Sequence, residues 1–248
     1  FLLLDDFHSD RPEHYLKGFP WHPHRGIETI TYMLYGEVEH GDSMGNKGVI
    51  NAGDVQWMTA GSGIIHQEMP KGQPDGLMWG FQLWANLPAS DKMMYPRYRE
   101  VKSDQIPEII LESGATVKII CGRVNGVTGP VSGIVTDPEY LDVSLQPDSS
   151  FSHAVKEGHT VFAYVIEGEA FFDNGDERIT AEHLVVYGDG DEVTVSTKDS
   201  PVRFLLVSGK PIGEPVAWYG PIVMNTREEL ETAFEEYEKG TFLKHENG

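Results

Sequence analysis

One cysteine, few cations and no long apolar run are the first features of this chain. A single thiol, Cys121, excludes an internal disulfide. It ends the run Thr-Val-Lys-Ile-Ile-Cys at residues 116–121, a setting that reads as a buried inert thiol rather than a reactive one. Lys and Arg number 19 against 39 Asp and Glu, a formal net charge of −20. So sparse a cationic complement argues against direct nucleic-acid binding, whose affinity comes from clustered Lys and Arg set against phosphate. No apolar stretch reaches the ~18 residues of a membrane-spanning helix, so no membrane partner is expected. The lack of disulfides fits a reducing compartment, and a cytoplasmic location is the expectation.

What the chain does contain is β-sheet material. At 248 residues with 40% hydrophobic content, it can build one large β domain or two of ordinary size. Residues 27–35 are β-branched and aromatic and end at Gly36. Residues 37–42 extend that strand, and 49–50, 55–59 and 64–66 follow between Gly-rich turns. Residues 87–107, with Pro88, Pro96 and Pro107, read as a long irregular connection, and a strand at 116–121 follows it. A Gly/Pro-rich break at 122–133 then suggests a boundary, giving domains at 1–130 and 131–248. The second half repeats the first in outline, with strands expected at 140–145, 151–153, 160–166, 169–172, 184–187, 193–196 and 202–207. Glu167-Gly168 and Asp189-Gly190-Asp191 echo Tyr35-Gly36 and Ala52-Gly53-Asp54, so a duplicated antiparallel barrel is the economical reading. A helix is expected at the end, over 226–239. Thr226 and Glu229 form a capping box, Leu230, Ala233, Phe234 and Tyr237 make one apolar stripe, and Gly240 stops it.

The chemistry concentrates between Phe19 and Pro70. His22-Pro23-His24 puts two imidazoles on one face of a strand, because side chains alternate with period two. His66-Gln67-Glu68 repeats that spacing with an imidazole and a carboxylate. Two such pairs on facing strands can enclose one cation. Glu28 is a further candidate, and spacing alone leaves Glu28 and Glu68 both open, although the face shared by His66 and Glu68 favours Glu68. His40 reads as structural. The second half has His153, His159 and His183 without comparable spacing, so no metal is expected there.

His22-Pro23-His24-Arg25-Gly26-Ile27-Glu28-Thr29, the segment Gly53-Asp54-Val55-Gln56-Trp57-Met58-Thr59-Ala60-Gly61-Ser62-Gly63, and His66-Gln67-Glu68 together closely resemble the pirins of the cupin superfamily. Gly220-Pro221-Ile222-Val223-Met224-Asn225-Thr226, with the helix after it, is similar to the pirin C-terminus. The resemblance implies an all-β fold of two antiparallel cupin (jelly-roll β-barrel) domains with a C-terminal helix. It also implies one divalent ion in the first domain alone, held by His22, His24, His66 and Glu68, with Fe(II) as the native ion and Ni, Cu, Zn, Mn or Co able to replace it. Glu28, the glutamate of the general cupin pattern, then becomes a hydrogen-bonding neighbour of the ligands or a surface strand residue.

Some pirins cleave flavonols such as quercetin with O2, so a quercetin 2,3-dioxygenase-like activity is the leading expectation, with Glu68 as general base. Its partners would be O2 and a flavonol-like molecule, and the protein is expected to be a monomer. Trp57, Met58, Met78, Trp79 and Phe81 are candidate cavity linings. The alternative is a metal-dependent redox-sensing binding protein that modulates a protein partner such as a transcription regulator. Sugar-phosphate isomerisation, another cupin reaction, is weakened because no basic cluster lies near the motif.

Overall fold

The computed structural model describes residues 1–72, 75–173 and 175–245. Strands account for 52% of the chain and helices for 8%, which places it in the expected all-β class. Two compact units form: residues 1–103 with 212–248, and residues 104–211. No helix among the described residues is long and apolar enough to cross a membrane.

In the first unit, β1 (Leu3–Ser9), a one-turn helix α1 (Pro12–Tyr15), β2 (Phe19–His24), β3 (Ile27–Tyr35), β4 (Glu37–Asp42), β5 (Lys47–Asn51), β6 (Val55–Thr59), β7 (Ile64–Lys71), β8 (Met78–Asn86) and β9 (Arg97–Val101) follow in order. They pair as a five-stranded sheet, β1-β8-β3-β6-β9, and a four-stranded sheet, β2-β7-β4-β5. Every residue of β6 and all but the last of β3 are buried, so these strands need apolar or hydrogen-bonded side chains on both faces. Ile27, Met58, Ala60 and Ile64 pack as one core cluster with Val223 of the terminal segment.

That terminal segment is a hairpin, Ala217–Tyr219 with Ile222–Met224, followed by α2 (Arg227–Glu238). The expected capping box is present: Thr226 accepts from the Glu229 N–H while the Glu229 side chain accepts from Thr226 N–H. Ala233 of the apolar stripe is buried, Leu230 and Phe234 pack against Ile222, Met224 and Phe242, and Tyr237 meets Phe242 edge to face. Two buried cations fasten this segment to the barrel. Arg25 donates to Ser62 O (2.6 Å), Phe242 O (2.8 Å) and Glu236 Oε2 (2.8 Å), and its guanidinium lies 4.2 Å from the Phe242 ring centroid. Lys92 Nζ donates to Gly26 O, Asn86 Oδ1 and Val223 O at 2.7–3.0 Å. Gly26 has φ +78°, and a Cβ there would sit 2.0 Å from Val223 O, so only glycine lets the terminal segment come this close.

The second unit is one curled nine-stranded antiparallel sheet around Val143, Phe151, Val165, Val195, Phe204 and Leu206. Three expectations need revision. The break at 122–133 is not where the units part. Thr116–Cys121 pairs with Glu139–Leu145, which keeps it in the second unit, while 212–248 packs with the first. Residues 160–172 form one strand rather than two, and its pairing to Val202–Gly209 shifts register between Val165 and Glu167, just before Gly168. The connection at 87–107 is not irregular throughout, because β9 lies inside it and pairs with β6 from Val55↔Val101 to Thr59↔Arg97. Its charged side chains masked a strand that begins directly after Pro96.

Replacing Arg25 with Leu should strip two buried carbonyls, Ser62 O and Phe242 O, and the partly buried Glu236 of their donor. We expect a loss of about 3 kcal/mol of unfolding free energy, typical of breaking a buried ionic network. Glu236→Gln should cost roughly 1 kcal/mol or less, because Glu236 is partly solvated. Denaturant unfolding of both variants measures the difference, and equal losses would refute this ranking.

Candidate metal centre

The sequence pairs meet because β2 and β7 are neighbours, with His22 directly opposite His66 in an antiparallel register. On the other side of β7, β4 sets His40 opposite Glu68 and Asp42 opposite His66. Two backbone carbonyls orient the His-x-His pair. Pro20 O lies 2.8 Å from His22 Nδ1, and Pro221 O lies 3.0 Å from His24 Nδ1. A carbonyl only accepts, so each Nδ1 carries the proton and each Nε2 is left with its lone pair. Those two Nε2 atoms lie 3.1 Å apart. Two acceptors that close repel unless a proton or a metal cation is shared between them.

His66 completes the group. It is fully buried, and neither ring nitrogen has a hydrogen-bond partner. One ligand atom from each of His22, His24 and His66 lies within 4.8 Å of the others. Burial, reinforced by the facing His22 ring, depresses the His24 pKa to about 3. Burial and the His24, His22 and His40 rings push His66 far below its ordinary value. His24 and His66 are therefore neutral near pH 7, the form that ligates a metal. The converging lone pairs and the orphaned buried imidazole fit a divalent ion, and three neutral nitrogens suit Fe, Ni, Cu or Zn.

Glu68 stands beside this group but outside it. Its Oε1 accepts from Thr31 Oγ1 (3.3 Å) and its Oε2 from Gln82 Nε2 (3.0 Å). Glu68, His22 and His24 line one cavity of about 580 Å³ between the two sheets of the first unit, together with Thr31, Gln82 and Trp84. That volume falls within the ~300–1,000 Å³ usual for small-molecule sites. Of the five apolar linings expected from the sequence, Met78 faces this cavity. Trp57, Met58 and Phe81 are core, and Trp79 stacks between His8 and Tyr35. Strand parity separates them: Met78, Gln82 and Trp84 share one face of β8, while Trp79 and Phe81 share the other.

Glu28 is not at the site. It lies three residues from Thr31 on β3, an odd separation that turns it to the opposite face, where it accepts a 2.6 Å hydrogen bond from Thr59. It is no surface residue either: it is buried, and burial raises its pKa above the usual carboxylate value. His40 stacks on Tyr98 and contacts Asp42 Oδ2 at 3.2 Å, outside the three-histidine group. In the second unit, His153 contacts Glu139 at 3.1 Å and His183 contacts the Thr180 and Ala181 carbonyls. Sequence reasoning did not find Thr31, Gln82, Trp84 or Pro221. The first three were open to a parity argument, but Pro221, 197 residues from His24, carries no local signal.

A family model described as Pirin matches residues 1–85, and one for the pirin C-terminal cupin domain matches residues 140–243. The chain belongs to the pirin family. A Thermoplasma acidophilum protein provisionally named quercetin 2,3-dioxygenase is 42% identical to it, over 97% of this chain and 98% of its own length. The crystal structure of a quercetin 2,3-dioxygenase from Acinetobacter baumannii superposes with a TM-score of 0.88 at 34% identity, covering 98% of this chain and 85% of that one. A bacterial pirin from Escherichia coli, solved in complex with nickel(II), gives a TM-score of 0.60 at 26% identity, covering 78% and 77%.

Two outcomes are expected of this site. The His22→Ala/His24→Ala protein should lose stoichiometric metal, and elemental analysis showing undiminished metal would exclude the assignment. The metal-free protein should also lose stability as pH falls below 6.5. The unfolded His24 takes up a proton from about pH 6.5 downward, whereas the folded one resists until about pH 3. Metal-free wild type should therefore show a steeper drop in denaturation midpoint between pH 7 and 5 than a His24→Leu variant.

Proposed function

We propose that the chain is a mononuclear metal dioxygenase that opens the central ring of flavonols such as quercetin with O2, releasing carbon monoxide. One observation carries the proposal: three imidazoles converge beside a cavity that the Glu68 carboxylate also lines. The similarity to proteins named for that reaction supports it. Under this reading His22, His24, His66 and Glu68 hold one divalent ion, Fe(II) in the cell. When bound, it supplies a Lewis-acid and redox centre for an oxygen-rich substrate.

The chain's own residues do the rest. Pro20 O and Pro221 O keep both Nε2 atoms aimed at the ion by fixing the Nδ1 protons. Glu68 takes the flavonol 3-hydroxyl proton. Each of its oxygens accepts one hydrogen bond and keeps one lone pair, so an oxygen would remain for that proton when the other meets the ion. Met78, Val38 and Trp84 offer an apolar wall to a flat ring system, while His8, Ser9 and His14, from the strand and helix at the N-terminus, offer polar contacts to ring hydroxyls.

One observation favours a second reading, a metal-dependent sensor that modulates a protein partner. The terminal hairpin touches the site through Pro221 O and the Trp84–Trp218 contact (6.0 Å), yet it leaves Tyr219 70% exposed. A partner on that hairpin would be linked to the metal's charge.

Oxygen uptake separates the readings. Anaerobically iron-loaded wild type, given O2 and quercetin, should form ring-opened product and carbon monoxide, and the metal-free protein should not. Glu68→Gln, compared at equal metal occupancy, should cleave roughly 10²–10⁴-fold more slowly, as for loss of a general base. No product from several flavonols would exclude the dioxygenase reading and leave the sensor.

A further inference from the structure

Gln82 occupies a place in the cavity that neither metal ligation nor proton transfer explains. It lies on β8, on the same face as Trp84. The indole Nε1–H of Trp84 lies 2.8 Å from Gln82 Oε1. An indole can only donate, so this contact decides which end of the Gln82 amide is oxygen and which is nitrogen. The amide nitrogen therefore faces the other way, and both its protons are used: Nε2 donates to Glu68 Oε2 at 3.0 Å and to Thr31 Oγ1 at 3.2 Å. Thr31 in turn donates to Glu68 Oε1 at 3.3 Å. The chain runs one way, from indole to amide to hydroxyl and carboxylate, with no donor facing a donor.

Trp84 is itself held from two sides. His24 meets it edge to face at 5.1 Å, and Trp218 lies at 6.0 Å. The element that fixes the amide is thus wedged against a candidate ligand. Glu68 lies two residues beyond His66 on β7, so the backbone brings it to the site, and the hydrogen bonds from Thr31 and Gln82 fix the direction of its carboxylate.

We infer that Gln82, locked in orientation by Trp84, is a positioning residue that holds the Glu68 carboxylate in the geometry by which it binds the metal. This rests on the reading of Glu68 as a ligand. The pair of donors occupies one lone pair on each oxygen and leaves the other free, so the carboxylate would be held in direction while keeping a lone pair for an ion.

A double-mutant cycle on metal affinity tests this without any enzymatic readout. Cobalt(II) is the probe, titrated against a chromophoric chelator into wild type, Gln82→Met, Glu68→Gln and the double variant, with its visible spectrum recorded. Gln82→Met keeps the side-chain length and removes both donors. It should weaken cobalt binding 10–100-fold, the usual effect of losing a partner that orients a ligand, and change the cobalt spectrum. The double variant should bind within about threefold of Glu68→Gln alone, because Gln82 acts only through Glu68. Trp84→Phe keeps a ring against His24 but loses the indole donor. It should weaken binding in the same direction, by less, and it carries the test if Gln82→Met does not fold.

Wild-type affinity and spectrum in Gln82→Met, or losses that multiply in the double variant, would overturn the inference. So would unchanged affinity and spectrum in Glu68→Gln, since Glu68 would then not be a ligand. The absence of flavonol cleavage would touch only the dioxygenase reading and leave the cycle intact.

Discussion

Two imidazole lone pairs aimed at the same point 3.1 Å apart are the constraint around which the first unit is arranged. Left alone they repel, and burial removes the water that would separate them. Protonation, the usual relief, is closed off for His24 because its burial holds the pKa near 3. A cation coordinated by neutral nitrogens relieves the repulsion, and the fold invests in that outcome at several points. The β2–β7 register sets His22 against His66, and two carbonyls from distant parts of the chain hold the proton on the wrong side of each ring for anything but ligation. None of these contacts stabilises the fold much by itself. Together they keep an unfavourable arrangement in place until an ion enters it, which is how pre-organised metal sites gain selectivity for charge and geometry.

The carboxylate follows a different logic. Glu68 is reached by neutral donors, a hydroxyl and an amide, rather than by a cation that would hold it permanently ionised. A salt bridge here would compete with any cation held by the three histidines. Neutral hydrogen bonds fix the direction of the carboxylate without setting a second cation beside the three imidazoles. Glu28, the glutamate of the general cupin pattern, is turned away from the three histidines. It faces the opposite side of β3, bonded to Thr59, with burial raising its pKa.

How much of this was legible in the sequence depended on distance along the chain. His22, His24, His66 and the capped terminal helix were readable because period two and the capping box are local rules, and the fold class followed from the strand and turn pattern. The β9 strand was hidden by its charges and by the prolines around it, since Arg97 to Val101 alternate too weakly to stand out. The cavity lining was half legible. Parity along β8 groups Met78 with Gln82 and Trp84, but only tertiary structure says which face looks inward. Pro221 was beyond sequence reasoning, because a backbone carbonyl has no side-chain signature and its role depends on where the chain returns.

That return is the least obvious part of the architecture. After Pro211 the chain rejoins the first unit, and the terminal segment contributes to the site as well as to the core. Pro221 O orients His24, Val223 O receives Lys92, Phe242 caps Arg25, and Ile222 bridges to Arg25 along the backbone. Arg25 and Gly26 follow His24 directly in sequence, so the residues that grip the terminal segment are covalent neighbours of a candidate ligand. Any shift of the hairpin is therefore felt at His24 through two routes, the Pro221 hydrogen bond and the backbone of Arg25. The glycine at 26 makes the approach sterically possible, and the two buried cations make it stable. The hydrogen bond then turns that packing into the orientation of the His24 ring, so a segment nearly two hundred residues away becomes part of the candidate metal centre.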